Sequence, residues 1–124
     1  MDKTECQTDL IKVEGKIYPC TVSLVMDLIG GKWKAVILYH LKDNPKRYNE
    51  LRKEMPTVTE RTLSLQLKQL EGDRIIFRKV EGKKPPIKTT YGLTEFGKSF
   101  KNILETITTL GNSIASQKGN FINK

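Results

Sequence analysis

Between Thr59 and Leu70 the chain carries a set of side chains suited to recognition rather than reaction. Leu63, Leu67 and Leu70 recur at i, i+4 and i+7, the spacing of one buried helical face. With those leucines inward and a turn of about 100° per residue, the outward face holds Arg61, Leu65 and Lys68, flanked by Thr62, Ser64 and Gln69. A guanidinium can fork onto guanine, a carboxamide onto adenine, and an apolar Leu65 can meet a thymine methyl. Thr59 is placed to cap the helix, and the first-turn amides behind it could take a phosphate. An ordinary solvated helix face also carries Arg, Ser and Lys, so this face alone does not decide between the two readings.

Residue types that perform catalysis are sparse. There is no glycine-rich phosphate loop, and no Ser or Cys nucleophile has a second His-type base in reach, so the chain is not expected to be an enzyme. Two cysteines, Cys6 and Cys20, are too few for a secreted disulfide scaffold. The single histidine, His40, falls on an apolar stripe and reads as a core residue, so no metal and no cofactor are expected. Cys20 precedes a helix whose dipole and amides could lower the thiol's pKa and make it reactive. The alternative is an inert, half-buried small residue, with Cys6 a weaker candidate as its resolving partner.

These groups need a scaffold, and the spacing of apolar residues supplies one. Residues 1–19 read as an arm, extended around Gly15. Helices are expected over Thr21–Ile29, about Lys32–Lys42 with Trp33, Val36, Ile37, His40 and Leu41 on its stripe, about Asn49–Glu54, and Thr59–Leu70. Gly30-Gly31, Asp43-Asn44-Pro45 and Pro56 separate them. Ile75–Val80 and Ile87–Leu93 read as strands joined by Gly82-Lys83-Lys84-Pro85-Pro86, a hairpin with a basic tip. Thr94 caps a last helix on which Phe96, Phe100, Ile103, Ile107, Leu110 and Ile114 are separated by 4, 3, 4, 3 and 4. That is a heptad seam, which calls for a partner helix, and Gly97 would permit close approach. A helix folded back on its own core is the competing reading.

Charge agrees with the placement of the polar face. Of the formal net charge of +8, residues 42–88 hold 13 Lys and Arg against 7 Asp and Glu, or +6, leaving +2 for the rest. A field concentrated in one part of a chain attracts polyanions and speeds their encounter. No apolar run approaches the roughly 20 residues needed to span a bilayer, and residues 1–10 lack the apolar stretch of a secretory signal. A cytoplasmic location without membrane contact is the expectation. Three helices, a strand, a basic loop and a strand follow in the order of a winged helix-turn-helix, with Arg47 and the wing lysines Lys83, Lys84 and Lys88 placed to touch nucleic-acid backbone.

With these motifs in view, the chain resembles the HxlR-type transcriptional regulators, a MarR-related winged-helix family. The resemblance is carried by Cys20 to Leu28, Gly30-Gly31-Lys32-Trp33, Arg47-Tyr48-Asn49-Glu50-Leu51-Arg52, Pro56 to Leu63 with Gln66-Leu67, Pro85-Pro86, and Tyr91-Gly92-Leu93-Thr94-Glu95-Phe96-Gly97. It implies a homodimer joined by its terminal helices and bound to a two-fold symmetric double-stranded DNA operator. It also implies that Cys20 matches a cysteine which, in several members, senses oxidants or electrophiles. Departures are Arg74 where many members have glycine, Leu65 where many are polar, and a wing one residue longer than in many.

The combined expectation is a mainly α fold with a small β-hairpin wing and a C-terminal dimerisation helix: arm 1–19, DNA-binding domain 20–93, dimerisation helix 94–116 and flexible tail 117–124. Its expected function is sequence-specific regulation of transcription, as a repressor, by a homodimer whose interface contains Phe96, Phe100, Ile103, Ile107 and Leu110. Control by oxidation or electrophile modification would act at Cys20, and a small-molecule effector is the other form of control expected. The alternative is a weakly specific architectural nucleic-acid-binding protein.

Overall fold

The structure is a computed structural model and describes residues 10–119 and 122. The arm ahead of Leu10, Cys6 with its resolving role, and most of the tail lie outside the described residues. The extended segment around Gly15 is a hairpin of β1 (Ile11–Val13) and β2 (Lys16–Tyr18), antiparallel, with Glu14 and Gly15 at φ +47° and +86°. It is tied to α1 (Thr21–Ile29) where the Tyr18 hydroxyl donates to Asp27 at 2.7 Å and Lys16 approaches the same carboxylate at 3.4 Å. The hydroxyl, and then the ammonium, hold the Asp27 carboxyl below the usual carboxylate range.

α2 (Lys34–Leu41) presents Ile37, Leu38 and Leu41 to the core. The expected stripe therefore misplaces one residue: Leu38 is fully buried, while the side chain of His40 is half-buried and not in the core. An octet as apolar as Lys34–Leu41 has no single polar face, so periodicity alone cannot say which side turns inward. A two-residue strand, β3 (Lys46–Arg47), follows and leads into α3 (Tyr48–Glu54). Sequence alone does not announce β3, because two residues carry no period.

α4 spans Glu60–Gly72 with Thr59 as its N-cap. Arg74 then takes φ +61°, a left-handed conformation that glycine adopts without cost. β4 (Ile76–Glu81) and β5 (Lys88–Leu93) pair in register from Ile76↔Leu93 to Glu81↔Lys88, and β3 pairs on the other side of β5, giving the order β3-β5-β4. One core unites Ile37, Leu38 and Leu41 of α2, Leu51 of α3, Leu63, Leu67 and Leu70 of α4, and Ile75, Ile76, Tyr91 and Leu93 around the sheet.

The last expected helix is two. α5 (Glu95–Lys98) is a single turn capped by Thr94, whose Oγ1 accepts from the Gly97 amide at 2.9 Å. α6 (Lys101–Lys118) follows after Ser99 and Phe100. The Ser99 hydroxyl donates to the Phe96 carbonyl at 2.5 Å, and such local bonding competes with the helix ladder where the two helices part. Gly97 is pressed against its own chain: a Cβ there would lie 2.0 Å from the Ile75 carbonyl oxygen. The close approach it permits is therefore internal, between α5 and the residue that leads into β4.

Candidate nucleic-acid interface

The α3–turn–α4 unit is built by a few local bonds. The Arg47 amide donates to Glu50 Oε1 at 2.8 Å, closing the start of α3. Arg52 Nη1 donates to the Val58 carbonyl at 2.5 Å, which fixes the turn between the helices, while Met55 and Val58 of that turn are buried. Thr59 Oγ1 accepts from the Thr62 amide at 3.1 Å, so the residue that caps α4 also occupies one of the first-turn donors that a phosphate could have used.

With that helix anchored, Leu63, Leu67 and Leu70 are buried to within 1%. Arg61, Ser64, Lys68 and Gln69 are exposed, Thr62 is half-buried, and Leu65 stands 50% open to solvent. A leucine held out on a polar face, between cations, is the arrangement that can meet a thymine methyl once water leaves. Lys83, Lys84 and Lys88 are exposed along the wing, and Arg47, opposite Thr90 in the ladder, is exposed at the junction of wing and α3. The structure thus brings Arg47 and Lys88 near one another, whereas Lys83 and Lys84 stand at the wing tip.

Two contributors escape a reading by sequence. Tyr48 has its ring packed against the core and its hydroxyl 3.5 Å from Ser64 Oγ, so α3 touches the outward face of α4. Behind the interface, Glu54 bridges three elements: Oε1 lies 2.7 Å from His40 Nδ1 and Oε2 2.7 Å from Lys46 Nζ. The Lys46 hydrogen bond, with help from His40, holds the Glu54 carboxyl below its ordinary value. The only sequence signal for either was tyrosine or glutamate at positions that no apolar period explained.

The HxlR-like helix-turn-helix family matches residues 28–119, most of the chain. The chain belongs to that family. Among similar proteins of Bacillus subtilis (strain 168), the HxlR-like chain is 49% identical over 85 residues to the uncharacterized HTH-type transcriptional regulator YdeP, a match that covers 68% of this chain and 66% of YdeP. It is 45% identical over 101 residues to the uncharacterized HTH-type regulator YybR, covering 78% of this chain and 80% of that one. Among solved structures it is similar to the redox regulator HypR in its oxidized form, with a TM-score of 0.71 and 44% identity over 76% of this chain and 96% of HypR.

The HxlR-like chain is thus a transcriptional regulator with a winged helix-turn-helix fold. Its terminal helix needs one correction to the expected seam. Phe100 is 7% exposed, turned into the core of its own chain with Leu104 and edge-on to Phe96 at 5.4 Å between ring centres. The break between α5 and α6 rotates it away from the row. The apolar residues left open are Phe96, Ile103, Ile107, Leu110 and Ile114, between 38% and 60% exposed. Beside them Ala35, Val36 and Tyr39 of α2, with Leu104, Ile107 and Thr108, line a groove of about 330 Å³.

Cys20 sits where the sequence places it, as the N-cap of α1 in extended conformation, and is 4% exposed. Its sulfur is disulfide-bonded, and its carbonyl accepts the Ser23 hydroxyl at 3.0 Å. No His, Cys, Asp and Glu cluster able to hold a metal ion occurs among the described residues, and none of their helices is long and apolar enough to cross a membrane.

Proposed function

We propose that this HxlR-like regulator binds a double-stranded DNA operator as a homodimer, represses the adjoining gene, and is controlled through the thiol–disulfide state of Cys20. The observation that carries the reading is the face of α4: three leucines buried to within 1% force Arg61, Ser64, Leu65 and Lys68 outward together, beside a wing with three exposed lysines. Arg61 and Gln69 supply base-edge hydrogen bonds, Leu65 the methyl contact, and Thr62 and Ser64 shorter-range donors. Arg47, Thr59, Lys83, Lys84 and Lys88 meet phosphate.

The homodimer rests on the open apolar row of α6 with its groove on α2, too continuous a surface to be left to water in a small regulator. Two α4 helices related by a two-fold would read half-sites about one helical turn apart. Redox control rests on the disulfide-bonded state of Cys20 at the start of α1 and on the similarity to HypR, whose solved forms are named as oxidized and reduced.

Fluorescence anisotropy with DNA from just upstream of the protein's own gene, against a scrambled duplex and across a salt series, tests this. Selective binding is expected, with Arg61→Ala relaxing preference at one base pair per half-site by about 1–3 kcal/mol. Lys84→Ala should weaken all duplexes alike and lower the salt slope by about one. Equal binding to both duplexes by the wild type would support instead a weakly specific architectural protein. Repeating the titration with and without dithiothreitol tests the Cys20 arm, which fails if affinity does not change.

A further inference from the structure

A cleft of about 230 Å³ lies where the turn of the β1–β2 hairpin, α1, the end of α4 and α5 come together. Two of its charges, Lys16 and Asp27, face each other at 3.4 Å, and the Tyr18 hydroxyl donates to the same carboxylate at 2.7 Å. Glu14, Asp73 and Arg74 line the cleft as well, and none of their side chains has an ion pair or hydrogen bond among the described residues. Leu24, Leu28 and Phe96 supply apolar surface beside them, with Phe96 46% exposed. Glu14 and Arg74 are also the two non-glycine residues with left-handed backbone among the described residues, at φ +47° and +61°. Two costly conformations, far apart in sequence, thus set an acid and a base on the walls of one cleft. Conformations of this kind collect at ligand sites and switch regions, where the surrounding structure holds them in place.

We propose that this cleft binds a free apolar amino acid, a zwitterion of about leucine's size, as an effector. An ammonium offers three donors and can serve Glu14 and Asp73 together, while the Arg74 guanidinium can fork onto the α-carboxylate. The ligand's side chain lies against Leu24, Leu28 and Phe96, where it removes apolar surface from water. Lys16 and Asp27 neutralise each other, so the three groups that remain present two negative charges and one positive. A carboxylic acid without the amine meets two like charges there, and a neutral apolar molecule leaves all three groups unserved. Location gives occupancy its effect. Asp73 is the C-cap of α4, and Phe96 begins the open apolar row that continues along α6. A ligand held between them ties the end of α4 to the start of the dimer face. That regulatory effect rests on the DNA-binding reading above, whereas the binding itself does not.

Isothermal titration calorimetry of the full chain with L-leucine tests the site, with isoamylamine, which lacks the carboxylate, and isocaproate, which lacks the amine, as controls. Leucine should bind about tenfold more tightly than either. Arg74→Gly removes the guanidinium and relieves its backbone; it should weaken leucine about tenfold and leave isoamylamine unchanged. Glu14→Gln combined with Asp73→Asn should weaken leucine to the same degree and leave isocaproate no weaker. Circular dichroism on each variant confirms that the fold is intact. No heat of binding from leucine at millimolar concentration, or an Arg74→Gly variant that loses leucine and isoamylamine equally, overturns the site. Saturating leucine should also shift the affinity for the upstream duplex by about fivefold or more. In a wild type that binds that duplex selectively, the absence of any shift overturns the effector role. A wild type without selectivity between duplexes sinks the operator reading and the effector role with it, while the calorimetry still decides the site.

Discussion

Gly97→Ala is the sharpest probe of how the DNA-binding module is joined to α6. The new methyl carbon would lie 2.0 Å from the Ile75 carbonyl oxygen and 3.1 Å from its carbonyl carbon, with Leu93 Cβ at 3.3 Å on another side. Backbone on one side and strand on the other leave no flexible side chain to give way, so α5 must shift outward by more than 1 Å to restore ordinary contact, and overpacking of this kind costs typically about 1–3 kcal/mol. The same shift pulls on the joint itself, where the Thr94 amide and Oγ1 both donate to Ile75 O at 3.1 Å and Oγ1 reaches Arg74 O at 2.7 Å. Each weakened bond adds on the order of 0.5–1.5 kcal/mol. A total near 3 kcal/mol is expected, a large share of the roughly 5–15 kcal/mol of a typical domain. Urea unfolding followed by circular dichroism measures it, with Gly72→Ala as the control. Gly72 is also helical but meets nothing within 4 Å, and alanine there should stabilise by about 0.5–1 kcal/mol. Equal midpoints for Gly97→Ala and wild type would refute the argument.

Three other perturbations bear on separate parts of the molecule. Ile107→Asp places a charge in the open row of α6; light scattering should show half the wild-type mass, and a monomer binding operator at full affinity would contradict the dimer. Arg74→Gly relieves the φ of +61° and should raise stability by about 1 kcal/mol after glycine's greater freedom in the unfolded chain is subtracted, read as a higher melting temperature. Glu54→Gln removes a carboxylate whose folded pKa is depressed by Lys46 and His40, so its stabilisation is present above the unfolded value and lost as pH falls through the folded one. The stability gap between wild type and variant should be full at neutral pH and close below about pH 4, the ordinary carboxylate range; a gap independent of pH would show that the ion pairs are not its source.

Much of this architecture was legible because the periods were clean. Leu63, Leu67 and Leu70 announce α4 and its outward face without ambiguity, and the turn formers around the wing announce the β4–β5 hairpin. Other features escaped for identifiable reasons. β3 is two residues long and exists only because β5 is there to pair with it, a tertiary fact. α2 is apolar around most of its circumference, so Leu38 and His40 exchanged their expected roles. Phe100 satisfies the heptad count, yet the Ser99 bond to Phe96 breaks the helix just ahead of it and sends the ring inward. A count of spacings assumes one unbroken helix and cannot see that break. The nearness of Arg47 to Lys88 escaped in the same way, since the two lie far apart in sequence and meet only because β3 pairs with β5.

The outermost strand, β4, has a consequence for how this protein behaves at high concentration. One of its edges pairs with β5 while the other, among the described residues, has no strand beside it over six residues, and Phe77 and Val80 are both exposed on β4. Such an edge invites a second copy to add its own strand, and repeated addition is aggregation. Arg78 and Lys79 lie in the middle of that edge, so two copies approaching side by side bring like charges together. The repulsion is electrostatic and therefore screened by salt. Concentrated salt, the usual means of stripping nucleic acid from a basic protein, weakens this guard at the moment it removes the polyanion, so the purified protein should self-associate through β4 most readily under those conditions.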